Sequence, residues 1–246
     1  MGYEENKIEG RNAVLEAFRS GKTIDKLFVL DGCQDGPIKS ITREARKGDT
    51  IINYVNKDRL DQISETGKHQ GVIAISAAYD YAEVEDILAN AEEKGEAPFI
   101  IILDGIEDPH NLGAIIRTAN QAGAHGIIIP KRRAVGLTPT VARTSAGAIN
   151  YTPVAKVTNI GKTIEELKKE GLWFVCADMD GTTMYNLDLK GPIGLVIGNE
   201  GEGVSRLVKE KCDFVASIPM KGDIDSLNAS VAAGILAYEI VRQRLL

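Results

Sequence analysis

Cysteine is scarce in this chain, and its spacing argues against the folds that depend on it. Only three cysteines, Cys33, Cys176 and Cys212, occur among 246 residues. An odd number at wide spacing fits neither a disulfide framework nor a structural zinc site. We therefore expect the chain to fold in a reducing compartment, the cytoplasm, with these cysteines as small apolar side chains.

The chain also lacks histidine pairs at metal-binding spacing and long apolar runs, and no signal peptide is expected. Because the three histidines lie far apart in sequence, no metal centre is expected. No segment approaches the roughly 18 consecutive apolar residues of a membrane helix, and residues 1–14 have no apolar stretch behind a basic start. With 43% hydrophobic and 26% charged residues, the composition is that of a globular protein without a membrane partner.

One segment accounts for the whole net charge of −6. Residues 1–78 hold 12 basic and 12 acidic side chains, and residues 99–246 are balanced as well. Residues 79–98 hold seven acids and one lysine. The overall charge therefore does not argue against nucleic acid as a partner. The local distribution of charge is the more informative evidence on this question.

A basic window lies between Asp108 and Glu165, where no acidic residue occurs. Its seven cations are Arg117, Lys131, Arg132, Arg133, Arg143, Lys156 and Lys162. Such a window is typical of a surface that faces phosphates. A set of solvated charges with acidic partners from elsewhere in the fold explains the pattern equally well.

Residues 1–78 are predicted to form a small α/β domain. Helices are expected over 10–21, 37–48 and 56–67, and strands over 26–30, 50–55 and 71–76. Pro37 near a helix start and Gly48 past its end fit the usual asymmetry, and Asn56 is a suitable N-cap. Residues 82–95 could form a helix, with Val84, Ile87, Leu88 and Ala91 along one stripe. The acidic segment 79–98 is nevertheless interpreted as a solvated linker with one or two helical turns.

Residues 99–246 are predicted to form a parallel sheet between helix layers. The apolar runs at 99–104, 126–130, 172–177, 194–198 and 214–219 are short and rich in β-branched residues, which is typical of strands buried on both faces. Helical patterns lie between them, over 111–123, 138–148, 159–171 and 204–211, and again from Leu227 onward.

Three polar stretches follow strands and carry the candidate site. In residues 198–205, Gly201 and Gly203 allow a close backbone approach by a ligand, although a tight turn alone also requires glycine. Residues 107–123 form a helix that Asp108 or Asn111 can cap, and Arg117 lies off its apolar stripe without an intrahelical acidic partner. Residues 217–234 lead into a helix capped near Asp225 or Ser226, with small residues that let another element or a ligand lie close.

Together, the three stretches resemble the sequence motifs of the SpoU, or TrmH, family of RNA ribose 2′-O-methyltransferases. The first motif is N111-x-G113-A114-I115-x-R117-T118, and the second is L195-V196-I197-G198-N199-E200-G201-x-G203. The third is I218-P219-M220-x-G222-x-x-x-S226-L227-N228-x-S230-x-A232. The stretches E9-G10-R11-N12-A13-V14 and H69-Q70-G71-V72 are similar to the branch of this family that acts on ribosomal RNA.

The resemblance implies a C-terminal α/β-knot domain of the SPOUT type, with a mostly parallel, trefoil-knotted sheet, after a small RNA-binding domain. It also implies a homodimer, and S-adenosyl-L-methionine as cofactor. The residues expected to bind this cofactor are Gly198, Asn199, Ile218 and Leu227. The expected catalytic residues are Arg117, Asn111, Glu200, Ser226 and Asn228, and the expected RNA contacts are Lys131, Arg132, Arg133 and Arg143.

The implied reaction is methylation of the 2′-hydroxyl of a guanosine in 23S ribosomal RNA. Because a guanidinium does not readily give up its proton, Arg117 is expected to bind a phosphate and stabilise the forming alkoxide instead of acting as a base. Asn111 is expected to position Arg117. A transfer RNA substrate and a non-catalytic RNA-binding protein on the same fold are the alternatives.

Overall fold

Two compact units make up the chain in the computed structural model, which describes residues 6–224 and 226–246. The first unit contains Met1–Asp80 and Gly136–Thr140, and the second contains Tyr81–Val135 and Val141–Leu246. None of the helices among the described residues is long and apolar enough to cross a bilayer. The predicted boundaries of 78 and 99 remain predictions, and the acidic segment between them differs from its expected form.

The first unit is a four-stranded mixed sheet with three helices. Its elements are β1 (Asn6–Glu9), α1 (Arg11–Arg19), β2 (Ile24–Leu30), α2 (Gly36–Lys47), β3 (Ile51–Val55), α3 (Lys57–Ile63) and β4 (Val72–Ser76). The strand order is β1-β4-β2-β3, in which only β2 and β3 run parallel. Asn56 caps α3 as predicted, by accepting a hydrogen bond from the amide of Arg59. β1 lacks a strong apolar alternation and was not predicted.

The core of the first unit lies between the sheet and the helices α1 and α2. It is formed by aliphatic side chains from both layers, including Val14, Leu27, Val29, Ile38 and Ile41. Residues 136–140 belong to this unit although the sequence places them in the second domain, and the amide of Ala78 donates a hydrogen bond to the carbonyl of Leu137. A segment of five residues offers no periodicity from which its packing partner could be read.

The acidic segment 79–98 is not the solvated linker that its charge suggests. It contains α4 (Val84–Lys94), an 11-residue helix whose capping box joins Glu83 and Asp86. Ile87 is fully buried, and a Cβ at Gly126 would lie only 2.5 Å from its side chain. The helix therefore packs directly on the sheet of the second unit, since burial of one apolar stripe outweighs the acidic character of the exposed face.

The second unit is built on a six-stranded parallel sheet, which confirms the expected α/β class. Its further elements are β5 (Phe99–Asp104), α5 (Pro109–Gln121), β6 (Gly126–Pro130), α6 (Pro139–Thr144), β7 (Val154–Val157), α7 (Ile160–Lys169), β8 (Trp173–Thr183), β9 (Ile193–Gly198), α8 (Arg206–Lys209), β10 (Phe214–Ser217) and α9 (Ala229–Arg244). The first two residues of α6 belong to the first unit and the rest to the second. The strand order is β10-β8-β9-β5-β6-β7. β7 was not predicted.

The chain path at the end of this unit places α9 near the middle of the sheet. β10 is the edge strand beyond β8, and the chain then returns so that α9 contacts α5 and β9. A Cβ at Gly234 would lie 3.6 Å from Thr118 on α5, so the small residues of α9 accommodate a neighbouring helix. This return across the sheet is compatible with the knot that the resemblance implies, and the knot itself stays a prediction.

Candidate active site

The candidate site lies at the carboxyl edge of the six-stranded sheet, where β5 and β9 are neighbours. Their last residues, Asp104 and Gly198, lie opposite each other in the ladder. The chain continues from β5 towards β6 and from β9 towards β10, which lie on opposite sides of this pair. Such a divergence opens a crevice outside the strand ends, which is the usual ligand position in an open parallel sheet.

Glu200 connects the three motif segments across this crevice. Its Oε1 accepts hydrogen bonds from Asn111 Nδ2 at 2.5 Å and Asn228 Nδ2 at 2.7 Å, and from the amide of Ala229 at 3.4 Å. Asn228 Nδ2 also donates to Asn111 Oδ1 at 2.9 Å. Because the partners lie 89 and 28 positions from Glu200, this network forms only when the unit is folded.

Asn228 also begins the last helix. Its Oδ1 accepts from the amides of Ser230 at 3.0 Å and Val231 at 3.4 Å, which makes Asn228 the N-cap of α9. The predicted cap was therefore too early in the sequence: Ser226 precedes the helix and is exposed, and Asp225 lies outside the described residues. The network fixes the start of α9, and with it the position of Leu227 and Ser226.

Arg117 lies apart from this network. Its side chain is exposed and forms no hydrogen bond or ion pair with any residue in 6–224 or 226–246. The expectation that Asn111 positions Arg117 is wrong, because the Asn111 side chain is held by Glu200 and Asn228. The two residues are six positions apart in the helix, which corresponds to about 9 Å along the axis and places them on different faces.

Gly113 allows α6 to lie directly against α5. A Cβ at this position would be 1.8 Å from Thr144 Oγ1, and the Thr144 hydroxyl donates to the carbonyl of Pro109 at 3.3 Å. Arg117 follows Gly113 by four residues and therefore lies on the same helical stripe. The glycine of the first motif thus has a packing role that sets the surroundings of the arginine.

The glycine-rich turn after β9 is ordered by its own side chains. A Cβ at Gly198 would be 1.9 Å from the backbone of Gly203, which itself has φ +67°. Asn199 Oδ1 accepts from the amides of Gly201 at 2.9 Å and Glu202 at 2.7 Å. The geometry of the turn alone therefore explains Gly198, Gly203 and Asn199, whereas Glu200 faces the crevice.

Asp104 is a site residue that the sequence analysis missed. Its Oδ2 accepts a hydrogen bond from the amide of Ser205 at 2.8 Å and so holds the end of the glycine-rich turn against β5. The signal was an acid at the last position of a buried strand, FIIILD. Such a residue has no role in the core and is available to a loop at the sheet edge.

The predicted RNA contacts lie in two places in the second unit. Arg132 and Arg133 are exposed in the loop after β6, and the amide of Val135 in this loop donates to the carbonyl of Ile106 beyond β5. Lys131 begins the loop and is half-buried, and Arg143 is exposed on α6. The loop therefore lies beside the carboxyl edge that carries Glu200.

Two other cations of the acid-free window have partners. Lys162 pairs with Glu166 at 3.4 Å, and Lys156 lies 4.7 Å from the centre of the Tyr81 ring. For Lys162, the interpretation as an ordinary paired surface charge applies, whereas a partner of Lys156 is an aromatic ring. No group of three or more His, Cys, Asp or Glu side chains that could hold a metal ion occurs in the described part of the chain.

Residues 98–238 match the SpoU rRNA Methylase family, and residues 7–82 match the family described as RNA 2′-O ribose methyltransferase substrate binding. YacO of Bacillus subtilis, whose name assigns it to the TrmH family of tRNA/rRNA methyltransferases, is 51% identical over 99% of this chain and 98% of its own.

Two solved structures resemble the chain over 98% of its length. The SpoU methyltransferase AviRb from Streptomyces viridochromogenes, in complex with its cofactor AdoMet, has a TM-score of 0.62 at 27% identity, with 91% of that chain covered. The AdoMet-bound rRNA methyltransferase from Sinorhizobium meliloti has a TM-score of 0.61 at 28% identity, with 87% covered.

Proposed function

Because the chain belongs to the SpoU rRNA methylase family, we propose that it methylates the 2′-hydroxyl of a guanosine ribose in 23S ribosomal RNA. The chain is an RNA methyltransferase, and S-adenosylmethionine is its methyl donor, as in the AdoMet-bound relatives. The choice of ribosomal RNA, the guanosine and the specific similarity to the 23S rRNA guanosine-2′-O-methyltransferase RlmB are the proposed part.

The observation that carries the proposal is the network of Asn111, Glu200 and Asn228, together with an Arg117 on the same helix as Asn111 that has no partner among the described residues. The network holds three distant segments together at the edge where an open parallel sheet binds ligands. Since no residue in 6–224 or 226–246 pairs with it, Arg117 is available to an anion from outside the protein. A fixed crevice and a free cation are what methylation of a phosphate-linked ribose requires.

The chemistry of the crevice fits S-adenosylmethionine. Ile218 and Leu227 are half-buried and apolar, and the backbone groups of Leu227 form no hydrogen bond with the described residues. We assign the cofactor to Gly198, Ile218 and Leu227, with Asn199 ordering the turn beside them. When bound, the cofactor supplies a methyl group on a sulfonium sulfur, which accepts a nucleophile in line.

The chain's own residues align the ribose and ease the loss of its proton. Arg117 binds the phosphate next to the target ribose and stabilises negative charge on the 2′-oxygen. Glu200 and Asn111 hold Asn228, and the exposed Ser226 orients the ribose or the cofactor. Arg132, Arg133, Lys131 and Arg143 bind neighbouring phosphates, since such contacts set register without reading sequence.

A homodimer is part of the proposal, and the outer face of α9 supports it. Ala233, Leu236 and Ile240 are buried within the unit, yet Val231 and Tyr238 are 48% and 49% exposed on another face of the same helix. A helix that is apolar on both faces requires a second partner. Tyr238→Arg should convert a dimer to a monomer in analytical ultracentrifugation, and Tyr54→Arg, at a similarly exposed tyrosine of the first unit, should not.

The substrate is tested by labelled methyl transfer. The full chain is incubated with radiolabelled S-adenosylmethionine and either a 23S rRNA transcript or total transfer RNA, and the RNA is digested to nucleosides. We expect label in 2′-O-methylguanosine from the 23S transcript. Label in transfer RNA alone would replace the proposed substrate by the alternative that the name of YacO leaves open.

A further inference from the structure

The first unit contains an open pocket that none of the roles above uses. Its volume is about 560 Å3, and it is lined by Arg11, Asn12, Leu30, Pro37, Gln70 and Gly71. The lining residues come from the start of α1, the end of β2, the start of α2 and the turn before β4. These segments are brought together only by the fold of this unit.

Arg11 and Gln70 hold the pocket in one shape. The backbone amide of Arg11 donates to Gln70 Oε1 at 3.1 Å, and Arg11 Nε donates to the carbonyl of Gln70 at 3.1 Å. Arg11 Nη2 also pairs with Asp35 Oδ2 at 2.6 Å. The arginine thereby connects the turn before β4 with the start of α2.

The backbone beside the pocket is strained at Gln70, the residue that Arg11 contacts. Gln70 has φ +52°, a conformation that is uncommon for a residue with a side chain. Gly71 follows at φ +83°, and a Cβ there would lie 3.4 Å from Leu30 Cβ. Such strain persists where the surrounding structure enforces it, and it is concentrated at binding sites.

The groups left open to a ligand are amides. The side chain of Asn12 is exposed and forms no hydrogen bond with any residue of the described chain, and among those same residues the Nε2 of Gln70 has no acceptor. The only cation of the lining, Arg11, is already paired with Asp35. The pocket therefore offers donors and acceptors between the apolar side chains of Leu30 and Pro37, without a free positive charge.

We infer that this pocket binds the base of one unpaired nucleotide of the RNA substrate, with the side-chain amides of Asn12 and Gln70 recognising its edge. Amide side chains match the paired donor and acceptor pattern of a base edge, whereas the strong, charge-assisted contacts to a phosphate are made by unpaired arginine or lysine. In RNA, base edges are accessible mainly in loops and bulges. The inference rests on the proposed function, because it takes RNA as the substrate.

Two variants test the inference without disturbing the shape of the pocket. Asn12→Ala removes an amide that bonds to nothing in the described chain, and alanine is a better helix former. Gln70→Glu keeps an oxygen that can accept from the amide of Arg11 and removes the Nε2 donor. Gln62→Glu is the matched control, because Gln62 is exposed on α3 and accepts from Arg59 in a similar way.

The primary measurement is the dissociation constant of the full chain for a 23S rRNA transcript at fixed salt. We expect Asn12→Ala and Gln70→Glu to weaken binding about tenfold, since a good amide–base contact contributes at least that much. The Gln62→Glu chain should bind within twofold of the parent. Affinity for S-adenosylmethionine and the rate at saturating RNA should be unchanged in all three.

The outcomes separate this inference from the proposed function. Pocket variants that bind the transcript like the parent overturn the inference, even if the parent methylates the RNA. A parent that binds the transcript through Asn12 and Gln70 but transfers no methyl group to it supports the pocket and overturns the proposed substrate. A parent that does not bind the transcript overturns both.

Discussion

The two units use an arginine in opposite ways. In the first unit, Arg11 is bound to Gln70 and Asp35, so its charge is neutralised within the protein. In the second unit, Arg117 projects from α5 without a partner among the described residues. A paired arginine stabilises the segments that it connects, whereas an unpaired arginine can bind an anion. The contrast suggests that the first unit recognises RNA by shape and hydrogen bonds and the second by charge.

A glutamate organises loops in each unit. Glu200 holds Asn111 and Asn228 at the candidate active site. In the first unit, Glu9 accepts hydrogen bonds from the hydroxyls of Ser64 and Thr66 and from the amide of Glu65. Both carboxylates accept several hydrogen bonds from loop residues. They differ in position, since Glu200 borders the crevice at the end of parallel strands and Glu9 does not.

Removal of each arginine side chain tests whether the two arginines have different roles. Arg117→Ala should lower kcat for methyl transfer about 100- to 1,000-fold, the range for loss of one oxyanion-stabilising group. S-adenosylmethionine affinity, measured by calorimetry, should stay within twofold. Arg11→Ala should leave kcat intact and reduce thermal stability. If Arg117→Ala retains near-normal activity, Arg117 has no part in the mechanism.

Removal of the Glu200 carboxylate should have the next largest effect. Glu200→Ala deletes the acceptor shared by Asn111, Asn228 and the amide of Ala229, so the start of α9 loses its support. We expect S-adenosylmethionine to bind about tenfold more weakly, because hydrogen bonds to a charged group are the stronger kind. The matched control is Glu202→Ala, an exposed neighbour in the same turn. Equal affinities in the two variants would contradict the role of Glu200.

The carboxylate of the first unit should act on stability instead of activity, and its effect should depend on pH. Desolvation acts to raise the pKa of Glu9, but the hydrogen bonds from Thr66, Ser64 and the amides of Glu65 and Thr66 together lower it to about 2. A lowered pKa stabilises the folded state above the unfolded value near 4.5, and this contribution is lost as the pH falls towards 2.

Glu9→Gln should therefore lower the free energy of unfolding by about 1 kcal/mol at pH 7. The difference from the parent should shrink between pH 4.5 and 2 in urea unfolding followed by circular dichroism. Glu16→Gln, on the exposed face of α1, serves as the control and should show no such convergence. A difference that stays constant down to pH 2 would contradict the assignment.

The smallest expected effect concerns salt. Arg132→Ala should reduce the slope of log K against log salt concentration for RNA binding by about 0.7, the contribution of one phosphate contact to a single strand. Asn12→Ala should weaken binding and leave that slope unchanged, because an amide displaces no counterion. Parallel salt titrations of the two variants therefore distinguish a charge contact from a base contact.

Much of the second unit could be predicted from its sequence because strands buried on both faces are continuous apolar runs. The observed bounds of β5, β6 and β9 agree to within a residue or two with the apolar runs FIIILD, GIIIP and GLVIG. The acidic segment was misjudged because its charge is conspicuous, whereas the contact of Ile87 with Gly126 involves residues far apart in sequence.

The site was predicted in part. The residues of the network were identified from their motifs, but the partner of Asn111 was not, because the identity of a hydrogen-bond partner depends on how α5 and the turn after β9 meet. The pocket of the first unit was not predicted at all. The contact between Arg11 and Gln70 joins residues 59 positions apart, and no local pattern indicates such a pair.

The network around Glu200 also has a consequence for the synthesis of the protein. Asn111 is translated first, Glu200 follows 89 residues later and Asn228 a further 28 residues later. The candidate crevice cannot be complete in a nascent chain until Asn228 has left the ribosome and α9 has docked on α5. A ribosome that is translating this protein therefore carries a chain whose candidate site is incomplete, and we expect activity only after the last of the three segments has folded.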